Sequence, residues 1–333
     1  MKKIIFLLYI AVILTSCSST KKTDSGTRAG ASIEKKKNLK FPTANAIEMA
    51  QDVAFLASDN LKGRDTGSEG IEKAAAYLSE RFQELGIRSY KGSYRDNFVA
   101  NGKKAFNVLA MIPGSDKALK DEVVVIGAHY DHIGMLQAVA GDSIANGAND
   151  NATGTATVLA LATNFKELDF NRRTIVFALF SAEEKGLLGS KHLANRMKEE
   201  GVNVVAMLNF EMTGTPMVNR PYIAYLTGHD GSNMAAVFND ANKNRVVTGK
   251  LDQAAKFNLF KRSDNYPFFE MFHVPSQTFS TFDFTNFDHY HKVGDDTTKV
   301  NADHMAQLVN AVMPGVFSVV NGKKLKLTLA TNE

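Results

Sequence analysis

The chain has 333 residues, of which 44% are hydrophobic and 22% charged. This is enough apolar content for a sizeable globular core and rules out a low-complexity or fibrous class. The formal net charge is +4, but residues 1–40 hold nine Lys/Arg against two Asp/Glu, so the remainder carries −3. With the basic excess confined to the N-terminal stretch and no basic helix or zinc-finger spacing, nothing points to nucleic acid as a partner.

The chain opens with MKKIIFLLYIAVILTSCSST, two lysines followed by an apolar run too short to span a bilayer comfortably. Leu14-Thr15-Ser16-Cys17 resembles a bacterial lipobox. That resemblance implies a signal peptide over residues 1–16, with Cys17 as the lipidated first residue of the mature protein. Cys17 is also the only cysteine, so no intramolecular disulfide can form. Residues 17–40, rich in Ser, Thr, Gly and Lys, read as a flexible tether, and residues 41–333 as one domain. The expected location is the cell envelope, lipid-anchored in the outer membrane and facing the periplasm, with no protein partner evident.

From residue 41 the pattern alternates. Helical periodicity fits residues 43–57 and 67–87, where Ile71, Ala75, Leu78, Phe82 and Leu85 share a face. Buried-strand runs follow at FNVLAMI, EVVVIGAH, RTIVFALFS, NVVAMLNFE, YIAYLTG and PSQTFST. Helical segments lie between or after them, at about 152–167, 186–200, 232–243 and 301–320. This order predicts an α/β fold, a three-layer α/β/α sandwich around a mixed, mostly parallel sheet, with ligands beyond the carboxyl ends of the strands.

Acidic residues and histidines gather at those ends. His129-Tyr130-Asp131 closes one strand, an arrangement in which a carboxylate can orient a metal-binding imidazole. Asp150 precedes a helix start, Glu183 and Glu184 end the run RTIVFALFS, Glu211 ends the next, and His291 lies near the C-terminus. Each alone has an ordinary explanation as a cap or a solvated charge. Together, at the mouths of successive strands, they do not share one.

The motifs GAHYDH, GANDNATG, SAEEKGLLGS, NFEMTG and YHKVGDD resemble the ordered motifs of the di-zinc aminopeptidase family, whose relatives include glutamate carboxypeptidases and glutaminyl cyclases. The resemblance implies two zinc ions per chain. His129 and Glu211 would bind one, Glu184 and His291 the other, and Asp150 would bridge them. It also implies Glu183 as general base, Asp131 behind His129, and a cis peptide bond at Asp150–Asn151. Three ligand carboxylates would cancel most of the charge of the two ions.

Two positions depart from the family pattern: Glu211 where many members carry Asp, and Asn265 where His usually follows the Asp. His132 has no matching ligand role and reads as structural or at the rim. The aromatics of FNLFKRSDNYPFFEMF and TFSTFDFTNFDHY read as core more than as pocket lining. The expected activity is removal of N-terminal residues from peptide substrates. A carboxypeptidase or dipeptidase stands as the alternative, and needs a cation such as Arg64, Lys261 or Arg262 to hold a free carboxylate. A glutaminyl cyclase or a non-catalytic lipid-anchored binding protein ranks lower.

Overall fold

Why the middle of the chain forms a buried sheet is visible in its apolar runs. EVVVIGAH and TIVFALF have almost no polar side chain, so both faces of these strands must be covered. The computed structural model describes residues 40–243 and 245–330. The expectations placed on Cys17 and on the leader and tether up to residue 39 fall outside them. In chain order come α1 (Ala46–Leu56), α2 (Glu69–Glu84), β1 (Arg88–Ser89), β2 (Arg95–Ala100), β3 (Lys103–Ile112), β4 (Glu122–His129) and the hairpin of β5 (Met135–Val139) with β6 (Asp142–Ile144). These are followed by α3 (Thr153–Leu168), β7 (Thr174–Phe180), α4 (Leu188–Glu199), β8 (Asn203–Glu211), β9 (Ala224–Leu226), α5 (Met234–Ala241) and β10 (Thr248–Gly249). The last elements are α6 (Asp252–Lys256), α7 (Asn265–Phe272), β11 (Ser276–Ser280) and α8 (Ala302–Asn321).

Among the described residues the main sheet has nine strands in the order β1-β3-β7-β4-β8-β11-β9-β10, with β2 also paired to β3. Its centre, β7, β4, β8 and β11, is parallel. Its flanks are antiparallel, β3 against β7 and β9 against β11. Strand alternation then sorts the core into two layers. Val124, Ile126, Ile175, Phe177 and Leu179 join the cluster that includes Leu78, Phe165 and Val312 of α2, α3 and α8. Val123, Val125, Val176 and Phe180 face Leu193, Met197 and Phe268 of α4 and α7. The sheet is thus sandwiched between helices, as expected.

The helices begin where short polar side chains can take their first N–H groups. The Asn45 side chain accepts from Ile47 N at 3.0 Å, Ser68 from Ile71 N at 3.3 Å, and Asn301 from His304 N at 3.0 Å. The predicted strand at YIAYLTG shortens to β9, which pairs with β11 only through Leu226 and Tyr225 before Gly228 turns the chain at φ 60°. The β5–β6 hairpin gave no expectation because it is largely exposed and carries no core signal.

Gly127 lies in β4, two residues before His129, with the Phe180 ring close above it. A Cβ there would meet Phe180 Cε2 at 2.5 Å and Ala178 O at 2.9 Å. Gly127→Ala is expected to destabilise the protein by about 1–3 kcal/mol through overpacking. Denaturant unfolding checks this, and an unchanged midpoint would contradict the close approach.

Candidate metal centre

The parallel centre of the sheet delivers the expected residues to one place. His129 is the last residue of β4 and Glu211 of β8, while Glu183 and Glu184 follow β7. Asp150 sits in the kinked turn Ala148–Ala152 that leads into α3, and His291 in the loop between β11 and α8. The donor-bearing turns need left-handed backbone at Gly147 (φ 63°), Ala182 (φ 56°), Met212 (φ 50°) and His291 itself (φ 54°). For residues other than glycine this conformation costs roughly 1–2 kcal/mol each, and such strain gathers at functional sites. The Asp150–Asn151 peptide bond is cis, as the resemblance implies.

Asp150 is the hub. Its Oδ1 lies 3.3 Å from His129 Nε2 and its Oδ2 3.2 Å from His291 Nε2. His291 Nε2 is also 3.3 Å from Glu184 Oε2. Two donors on one tetrahedral zinc, with bonds of about 2.0–2.2 Å, sit about 3.4 Å apart, close to these separations. On the far side of its ring, His129 Nδ1 faces Asp131 O at 3.2 Å, which directs the Nε2 lone pair toward Asp150. A proton on a ring nitrogen can be given to one acceptor, yet His291 Nε2 faces two carboxylates. A cation between these groups resolves the conflict, so the residues present fit a metal. His129, Glu183 and Glu211 offer donor atoms within 4.8 Å of one another, and so do His132, Asp150 and Glu184.

A bracing layer holds this set in place. Asp131 is fully buried and accepts the backbone N–H groups of Glu183 (3.2 Å) and Glu184 (3.4 Å). Asp295 accepts those of Asn149 (2.7 Å) and Asp150 (3.0 Å). Arg64, with no exposed surface, donates to Tyr130 O at 2.7 Å, Asn146 O at 2.6 Å and Gly147 O at 2.8 Å, and also to Leu56 O. One guanidinium therefore ties the His129–Asp131 loop to the loop that carries Asp150. Burial lowers the Arg64 pKa to about 10 against the opposing pull of Asp295 and Asp131, so it stays cationic at neutral pH.

The acids themselves are crowded. Burial pushes Glu211 and Asp264 up to about 7, with neighbouring carboxylates adding to the effect. Burial also raises Glu183 well above the ordinary range, against the pull of His129 and with Glu211 and Asp264 reinforcing it. Burial would raise Asp150 too, but His129 and His291 hold it well below the usual carboxylate value. Burial alone would lower His291, yet Asp150 and Glu184 carry it to about 10.

Several expectations need adjustment. His132 is not at a rim: it is fully buried, 3.0 Å from Glu184 Oε1 and 3.9 Å from Asp150 Oδ2, with Nε2 unpartnered among the described residues. Its position three residues after His129 was the signal for it. Asn265 leaves no gap in hydrogen bonding, since its side chain donates to Phe260 O and Ser276 O and accepts from Thr278 Oγ1. Ser263, which the sequence did not single out, donates to Glu211. The aromatics divide, with Phe268 and Phe279 in the core and Phe282, Phe284 and Tyr290 lining a small pocket beside Glu211. Of the three candidate cations, Arg64 is consumed by backbone carbonyls, Lys261 sits 5.7 Å from the Tyr266 ring centre, and Arg262 lines that pocket.

Replacing Arg64 tests the brace. Arg64→Met strands several carbonyls and removes a buried charge beside four acids, so a loss on the order of 3–5 kcal/mol is expected. Arg64→Lys keeps the charge but not the fork and should lose less. Chemical unfolding with equilibrium dialysis against zinc checks both, and equal stability and metal retention in all three proteins would contradict the role.

Comparison with known proteins agrees with this geometry. The family model described as Peptidase family M28 matches residues 107–315, and one for a prokaryotic membrane lipoprotein lipid attachment site matches residues 1–18. A probable leucine aminopeptidase of Arthroderma otae is 33% identical over 157 residues, which is 46% of this chain but only 40% of that relative's length. The chain superposes on BSAP, a zinc aminopeptidase from Bacillus subtilis, with a TM-score of 0.67 at 15% identity, covering 86% of this chain and 98% of that one. It superposes on Porphyromonas gingivalis glutaminyl cyclase with a TM-score of 0.64 at 14% identity, covering 82% and 98%. At these identities the structural likeness establishes the α/β fold, and the family match spans most of the chain, including every donor placed above. The chain belongs to peptidase family M28.

Proposed function

We propose that the protein is a zinc-dependent aminopeptidase that holds two zinc ions and releases N-terminal residues from peptides in a bacterial cell envelope. The observation that carries this reading is the junction at Asp150, whose two oxygens face imidazoles from different loops while Glu183 stands beside them. His129 and Glu211 would hold one ion and Glu184 and His291 the other, with Asp150 shared between them. When bound, the ions polarise the scissile carbonyl and acidify the attacking water. Glu183 takes the proton from that water and delivers it to the leaving amine. Asp131 keeps the His129 ring oriented and fixes the turn that aims the two glutamates. The acid-lined site, with the nearby Arg64 spent on backbone carbonyls, supports a substrate end that is an ammonium over one that is a carboxylate. A glutaminyl cyclase is less favoured, because the chain has no tryptophan to line its pocket.

The lipid attachment match supports an anchor at Cys17, and we propose with it a tether over 17–40 and a catalytic domain over 41–333, held at the outer membrane and facing the periplasm. Among the described residues no helix is long and apolar enough to cross a membrane. Cys17→Ser is expected to move the protein from the membrane fraction to the soluble one. Mass spectrometry that finds Cys17 unmodified in the mature wild type would end this reading.

The two glutamates are separable by experiment. Glu183→Gln should keep about two zinc ions per chain while turnover falls roughly 10²- to 10⁴-fold, the usual cost of a lost general base. Glu184→Gln replaces an anionic ligand with a neutral amide, so metal content should fall together with activity. Zinc stoichiometry measured beside aminopeptidase kinetics distinguishes these outcomes, and the reverse pattern would exchange the two roles.

A further inference from the structure

The small pocket beside Glu211 has a cavity volume of about 40 Å³, room for roughly three water-sized groups. One part of its wall is apolar, with Met212, Tyr225, Leu259, Phe282 and Tyr290, while Ser and Thr side chains line the rest, and the Tyr290 ring stacks on His291 at 4.0 Å, so the pocket opens directly onto the candidate metal centre. Three of its hydroxyls are spent internally. Tyr225 donates to Phe282 O at 2.8 Å, Thr278 to Asn265 Oδ1 at 2.8 Å, and Ser263 to Glu211. Apart from Glu211, which the metal claims, Arg262 is the one charged side chain on this wall among the described residues.

Arg262 is exposed, and none of the ion pairs or side-chain hydrogen bonds among the described residues uses its guanidinium. This contrasts with Arg64, Arg81, Arg172 and Arg173, whose side chains are all committed to internal acceptors. A short apolar pocket whose edge carries a planar, five-donor cation is complementary to a short aliphatic stem ending in a carboxylate.

We propose that Arg262 makes this pocket selective for substrates that present a carboxylate to it, an inference that rests on the peptidase reading. Two sources share that chemistry: the side chain of an N-terminal aspartate or glutamate, and the free C-terminus of a dipeptide. The guanidinium pairs with the carboxylate while the apolar wall takes the stem, and the scissile bond stays at the metal centre next to Tyr290 and His291.

The test compares kcat/KM for Glu-Ala-amide against Gln-Ala-amide, and for Ala-Ala against Ala-Ala-amide, in the zinc-loaded wild type, Arg262→Gln and Arg262→Glu, with zinc content measured for each. A preference of about tenfold for the carboxylate partner is expected in the wild type in at least one comparison, and which one identifies the source. Arg262→Gln should abolish that preference, and Arg262→Glu should shift it toward Lys-Ala-amide, with zinc content unchanged in both. Equal rates within both wild-type comparisons, or a preference that survives Arg262→Gln, would overturn the inference while leaving the peptidase reading intact. If the wild type cleaves none of these peptides, the peptidase reading fails instead. Calorimetric binding of glutamate against glutamine then decides the pocket: tighter glutamate binding lost in Arg262→Gln supports the inference, and equal binding overturns it.

Discussion

Carboxylates that must be brought together are the constraint on which this structure turns. Asp150, Glu183, Glu184, Glu211 and Asp264 converge at the ends of parallel strands, largely withdrawn from water. Two like charges about 4 Å apart repel by roughly 4 kcal/mol at an effective dielectric near 20, and several such pairs approach the whole stability of a domain. Protonation of some acids relieves part of the repulsion, and cations between the donors relieve the rest. The same charge density that makes the site costly without metal makes it retentive once metal is present.

Convergence alone does not give a rigid site, and the turns that carry the donors are lashed to one another. The Asn151 side chain accepts from Met212 N at 2.9 Å and Gly154 N at 3.0 Å, while Asn149 Oδ1 accepts from Gly214 N at 2.9 Å and Thr153 Oγ1 from Thr213 N at 3.0 Å. These bonds join the Asp150 turn to the turn after Glu211. Arg64 joins it to the His129 loop and Asp295 to the loop that carries His291. The donor-bearing turns are therefore located relative to one another by side-chain contacts with backbone, in addition to the sheet beneath them.

The layered fold and the donor set were legible because both leave strong local marks. Runs such as VVVIGA and IVFALF can only be interior strands, and the helices at 153–168 and 302–321 fell within a residue of expectation because their apolar faces are long and unbroken. The elements that went unseen, such as β2, the β5–β6 hairpin and α6, are short or exposed and owe their shape to neighbours instead of to periodicity. In the candidate site, the converging acids and histidines stand out at strand ends and in loops, whereas most of the bracing residues look ordinary. Arg64 in LKGRD reads as a candidate clamp for a substrate carboxylate, and its burial follows from a left-handed turn at Lys62–Arg64 that no side chain announces. For His132 the spacing from His129 is a signal, but the folded loop decides between a structural and a rim position by burying it against Glu184.

The adjacency of Glu183 and Glu184 follows from how β7 ends. The strand stops at Phe180, and Ala182 adopts φ 56°, which turns the chain so that Leu188 N can reach back to Ala182 O and Gly186 N to Glu183 O. Asp131 takes both glutamate N–H groups, so the two side chains leave a fixed platform in different directions, Glu184 toward His291 and His132, Glu183 toward His129 and Glu211. Because the platform is set by backbone and by a buried carboxylate, neither glutamate can take the other's place without moving β4. The pocket beside Glu211 has no such lock: among the described residues no ion pair or side-chain hydrogen bond holds the Arg262 guanidinium at its edge. A fixed donor set and an adjustable pocket edge thus meet at Glu211.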